Sequence, residues 1–191
     1  MWMTSLWHHD LQSLQWSVVV AASLAAAVTD VRSRRIPNKL TGPMLLTGLC
    51  WAAWQAGLAG AADSAIACIL LAGPYVLLFL LAGGGAGDAK LMGAIGSWLG
   101  ICNGLIALAA VSVAAIVLAV GYSLVRRRGR SLLANLAHIV FHGLFFVLSA
   151  GKVREISSEL ADTGKMQKMP YGPAIFVGVC IAAGGTLLWR I

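Results

Sequence analysis

Two apolar runs set the terms for any fold of this chain. Residues 64–82 are almost entirely hydrophobic, and residues 91–125 are hydrophobic again without a single charge. A helix needs about 20 such residues to cross the hydrocarbon core of a bilayer. Composition agrees: 59% of the chain is hydrophobic and 11% charged, with a mean hydropathy of +0.83. Soluble domains run nearer ~45–50% apolar and ~25% charged. The reading is an all-α polytopic membrane protein. Its 191 residues leave room for about six spans and no second folded domain, so residues 1–191 read as a single membrane-embedded domain.

The expected spans are 11–29, 40–60, 64–82, 91–101, 104–125 and 172–188, with Cys102-Asn103-Gly104 as the turn between the fourth and fifth. Residues 131–150 are apolar but interrupted by Asn135, His138 and His142, with basic residues on both sides. Charge sets the orientation. With the N-terminus outside and 131–150 lying in the inner interface, every Lys and Arg except Arg190 falls on the inner side. Were 131–150 to span, Lys152, Arg154, Lys165 and Lys168 would move out and the bias would weaken. An interfacial helix is therefore expected there, within a cytosolic insertion at 126–170. The net charge of +7 reads as topology and contact with the lipid bilayer, and no nucleic-acid partner is expected.

Two acids stand apart from the rest. Asp88 lies in Gly83-Gly84-Gly85-Ala86-Gly87-Asp88-Ala89-Lys90, between the two apolar runs, and Asp30 closes the first span just before Val31-Arg32-Ser33-Arg34-Arg35-Ile36-Pro37-Asn38. A carboxylate at a membrane boundary is costly to place and asks for a chemical reason. Both fall at inner ends of spans. Asp10 and Asp63 fall on the outer side, and Glu155, Glu159 and Asp162 share a loop with Lys and Arg, so these five read as solvated surface charges.

Two converging carboxylates hydrolyse an amide without a metal or cofactor. One, protonated, polarises the scissile carbonyl while the other deprotonates the attacking water. Such a pair titrates as a unit, and neither role is assigned to Asp30 or Asp88. The glycines before Asp88 permit a tight turn and close approach of an extended substrate. A second reading, compatible with the first, makes Asp88 a cap for the helix that follows.

These residues carry a family resemblance. Gly85-Ala86-Gly87-Asp88, followed by Ala89-Lys90-Leu91-Met92-Gly93, resembles the GxGD region of the type IV prepilin peptidases. Asp30 through Pro37-Asn38-Lys39-Leu40 resembles that family's first aspartate motif, and Pro170-Tyr171-Gly172-Pro173-Ala174 its C-terminal Pro-x-Gly-Pro segment. The resemblance implies an inner-membrane aspartic peptidase that removes the basic leader of prepilins or pseudopilins at the cytosolic face. It makes Asp30 and Asp88 the catalytic pair. It also marks Pro37, Asn38, Gly85, Gly87, Lys90, Pro170, Gly172 and Pro173 as supporting residues.

The larger, bifunctional members insert a cytosolic segment with paired cysteines, linked to N-methylation. Here Cys50, Cys68, Cys102 and Cys180 all lie within or at the ends of apolar spans, none in a C-x-x-C pair, and read as buried free thiols. The chain resembles the short, peptidase-only form of tight-adherence (Flp) pilus systems, without methyltransferase activity.

Other features carry less. His138 and His142 are spaced i, i+4 but lack the Glu of H-E-x-x-H, and Leu91 stands where a phosphate loop needs Ser or Thr. The tryptophans read as a belt near span ends. Presenilin-type GxGD proteases place their first aspartate in a Tyr-Asp motif, whereas Thr29 precedes Asp30. A transporter or assembly scaffold would carry mid-membrane acids and an inverted repeat, and neither is evident.

Overall fold

The computed structural model describes residues 2–82, 85–125 and 171–188. All regular structure among them is helical: α1 (Trp2–Ser33), α2 (Asn38–Ala82), α3 (Ala86–Val125) and α4 (Gly172–Leu188). Three stretches, Leu11–Ser33, Asn38–Leu80 and Ala86–Leu118, are long and apolar enough to cross a membrane, and α4 is a shorter apolar helix. The outer surface is apolar as well, with Ile69, Leu80, Val117 and Leu188 exposed. Such a surface is solvated by lipid rather than water. The expected insertion at 126–170, with its interfacial helix, lies outside the described residues.

At 45 and 40 residues, α2 and α3 are about twice the length of one crossing, and both are broken. In α2 the backbone leaves helical geometry at Ala56 and at Gly57, where φ is +59°. The chain folds back there, since a Cβ at Gly60 would collide with the carbonyl of Ala52. Eight residues along an unbroken helix those atoms would be ~12 Å apart. In α3 the break is at Gly100 (φ +69°), a conformation that strains any residue with a Cβ. The expected turn at Cys102-Asn103-Gly104 is therefore displaced to Gly100, while Gly104 lies buried inside the helix against Leu71. Asp63 meets this break: its Oδ2 accepts a 3.3 Å bond from the amide of Ile101, the first residue beyond it. Expected as a plain surface charge, Asp63 satisfies a helix start.

The arm 86–99 forms the centre of the bundle. Every residue from Leu91 to Leu99 is buried, as an all-apolar helix requires. Small residues let its neighbours approach: Gly96 lies against the backbone of Ala67, Gly93 against Cys68, and Gly48 against Ser97 and Trp98. Membrane helices associate through such close packing and through polar bonds, because lipid removes the usual hydrophobic drive. Ser64 Oγ donates 2.6 Å to the carbonyl of Ser97, and Trp98 Nε1 donates 2.8 Å to that of Met44. Trp98 and the fully buried Trp16 thus belong to the core rather than to a surface belt. The cysteines depart from expectation the other way: Cys50 and Cys102 are exposed, Cys68 and Cys180 half-buried, and all four are free.

Helix α4 wedges between α1 and α3, with Gly178 against the backbone of Val111 and Gly172 against Ala27 and Asp30. This arrangement brings the C-terminus of α1 and the N-termini of α2, α3 and α4 to one end of the bundle.

Candidate active site

Asp30 lies one turn before the end of α1. Its carbonyl accepts the amide of Arg34 at 2.8 Å, and Arg34 sits at φ +51°, so the helix closes with a left-handed residue where glycine is usual. A carboxylate at a helix C-terminus faces the unfavourable end of the dipole. The compensation comes from α4: the amide of Gly172, at that helix's N-terminus, donates 2.8 Å to Asp30 Oδ2. A side chain at Gly172 would come within 2.8 Å of Asp30 Cβ, so only glycine brings the amide this close.

Asp88 belongs to the first turn of α3, its amide donating 3.1 Å to the carbonyl of Gly85. It is not itself the capping residue. Its carboxylate folds back over Gly85, where a Cβ would stand 2.6 Å from Oδ2. The two glycines of the motif thus do different jobs. Gly85 leaves room for the carboxylate, whereas Gly87 admits Ile36, whose Cβ would be 3.1 Å from any Cβ there.

Each aspartate is 8% exposed, and the two are close enough for their charges to interact. Among the described residues, no Lys or Arg forms an ion pair with either. The cations nearby in sequence, Arg32, Arg34, Arg35, Lys39 and Lys90, are all exposed and form a basic rim. Lys90 Nζ instead donates 3.0 Å to Asn38 Oδ1. Pro37 supplies the carbonyl that receives the first amides of α2, from Leu40 at 3.0 Å and Thr41 at 3.4 Å. Pro173 occupies the first turn of α4, where a missing amide costs nothing. Pro170 lies outside the described residues.

Three neighbours were not among the expected site residues. Ile36 is nearly buried beneath Gly87, and Tyr75 and Tyr171 both lie within electrostatic range of Asp88. Burial and the Asp88 carboxylate raise the Tyr171 phenol above its ordinary value, so it remains an O–H donor throughout the neutral range. The available signals were slight: Tyr75 is the one phenol in its apolar run, and Tyr171 is the variable position of Pro-x-Gly-Pro. On the surface of α1, next to Asp30 in sequence, Ala27, Val28, Val31 and Arg32 line a shallow, open groove.

A family model described as the type IV leader peptidase family matches residues 17–120, more than half of the chain. The chain belongs to the type IV leader peptidase family. The stretch shared with that family holds Asp30, Pro37, Asn38, Gly85, Gly87, Asp88 and Lys90, while Gly172 and Pro173 fall beyond it. Two prepilin leader peptidase/N-methyltransferases of Burkholderia pseudomallei, from strains 1026b and K96243, are each 41% identical to this leader peptidase family member over 86 residues. Those matches cover 42% of this chain and 28% of each relative, so the chain spans under a third of the length of the curated relatives it matches. No solved structure matches it.

Proposed function

We propose that this chain is a membrane aspartic endopeptidase that cleaves the basic leader from type IV, Flp-like prepilins or pseudopilins, with Asp30 and Asp88 as the catalytic pair. The observation that carries this reading is that two buried carboxylates, from separate helix ends, come within range of each other's charge, with no cation paired to either among the described residues. In the proposed reaction one carboxylate takes a proton from water, whose oxygen attacks the scissile carbonyl carbon. The other, protonated, donates to the carbonyl oxygen. Collapse breaks the C–N bond, and the leaving amine takes a proton from the pair.

The surroundings support a cytosolic site in the inner membrane with the N-terminus periplasmic, because the rim of Arg and Lys marks the side where positive charge is retained. That rim repels a basic leader, so binding energy in this reading comes from the apolar helix behind the cleavage point. The groove of Ala27, Val28 and Val31 lies on α1, next to Asp30 in sequence, where such a helix docks laterally from lipid. Residues 1–191 act as one domain, with 126–170 as a cytosolic insertion, no methyltransferase activity and no cofactor. No observation favours another GxGD protease, a transporter or a scaffold.

The test is co-expression with a candidate prepilin and scoring of leader removal on gels. Asp30→Asn and Asp88→Asn are each expected to lower cleavage by at least about a thousandfold while the protein stays in the membrane. Normal processing by either variant ends the two-aspartate reading.

A further inference from the structure

We propose that Asn38 and Lys90 form a strut that positions the two aspartates relative to one another. This inference rests on the aspartate-pair reading and names two residues that act through the pair rather than on substrate. Asn38 opens α2, directly after the short connection that leaves Asp30's helix, and Lys90 follows Asp88 by two residues on α3. Helical geometry turns 100° per residue, so Lys90 points away from the face that carries Asp88. Its ammonium reaches across to Asn38 Oδ1 at 3.0 Å, joining segments 52 residues apart. The bond links the start of α2, which follows the end of Asp30's helix at Ser33, to the first turns of α3, which carry Asp88.

Local preference does not explain the lysine. A cation in the first turns of a helix opposes the macrodipole, and both Lys90 and Asn38 are exposed. A bond of this kind adds little to stability. What it fixes is register. Gly87 against Ile36 already sets how closely the two segments approach. Lys90 on Asn38 sets how they sit sideways, at a second point on the same pair of segments. A catalytic pair misplaced by about 1 Å loses up to about a hundredfold in rate, so a weak bond with the right leverage governs turnover without governing folding.

The experiment uses the full chain in lipid nanodiscs with a purified prepilin. Asn38→Ala and Lys90→Met are each expected to lower kcat about tenfold with KM unchanged. The double variant should lose no more than the worse single one, because both remove the same bond. Asn38→Asp, which keeps an acceptor for Lys90, should retain turnover. In parallel, spin labels at Ser33→Cys and Ala86→Cys, with the native cysteines replaced, read the distance between the segments. That distribution should broaden in Asn38→Ala and Lys90→Met and stay narrow in Asn38→Asp. Multiplicative losses, a rise in KM alone, or unchanged distances in both single variants would each overturn the strut. Should the wild-type chain leave prepilin intact, the proposed activity fails while the distance measurement still decides the strut.

Discussion

The amide of Gly172 holds the carboxylate of Asp30 at 2.8 Å across 142 residues of sequence. This bond brings the positive end of one helix to the acid at the negative end of another, and it ties the Pro-x-Gly-Pro segment to the first aspartate motif. The arrangement depends on the absence of a side chain. A Cβ at Gly172 would crowd Asp30 Cβ at 2.8 Å and the Ala27 backbone at 3.0 Å.

Gly172→Ala should therefore move α4 away from α1. Overpacking of this kind costs about 1–3 kcal/mol, and kcat for leader removal should fall by about a hundredfold. Thermal unfolding in detergent and cleavage of a purified prepilin measure the two effects separately.

Gly85→Ala and Gly87→Ala should differ in size. The first places a methyl 2.6 Å from Asp88 Oδ2 and forces the carboxylate to turn, so activity should drop about a hundredfold with little change in melting temperature, because Gly85 is exposed. The second meets Ile36 at 3.1 Å, which yields by a few tenths of an ångström, and the loss should be about tenfold or less. Equal losses would contradict the separate roles of the two glycines.

Asp63→Ala should leave cleavage at the wild-type rate. Its carboxylate serves the amide of Ile101 at the far end of the bundle, and loss of such a cap costs about 1 kcal/mol. A fall of about 2–4 °C in the unfolding midpoint, with intact processing, is the expected result.

Val31→Gln tests the groove on α1. Val31, next to Asp30 in sequence, is 60% exposed, and a polar side chain there weakens docking of an apolar helix. KM for prepilin should rise severalfold while kcat is retained. A loss of kcat with constant KM would place the docking surface elsewhere.

The helical class was legible because long uncharged runs are a strong local signal, and Asp30 and Asp88 stood out as acids that a membrane boundary tolerates only for a reason; how near they lie to each other was not. Nor was the position of the turn in α3. Gly96, Gly100 and Gly104 look alike in sequence, yet Gly96 and Gly104 pack against Ala67 and Leu71 and only Gly100 turns the chain. Telling them apart requires knowing what lies opposite. The same applies to Trp98, whose indole donates to Met44 54 residues away. Lys90 and Asn38 were both visible as motif residues, but the bond between them became visible only once the helix ends had converged.

That convergence has a consequence for the order in which the protein is made. Ribosomes build Asp30 early and the amide that holds it 142 residues later. A growing chain already inserted in the membrane carries its first aspartate at a bare helix terminus, with Asp88 in reach and Gly172 not yet synthesised. The chain's last described helix thus completes the surroundings of Asp30, and the site stays unfinished until the apolar helices before it have been made.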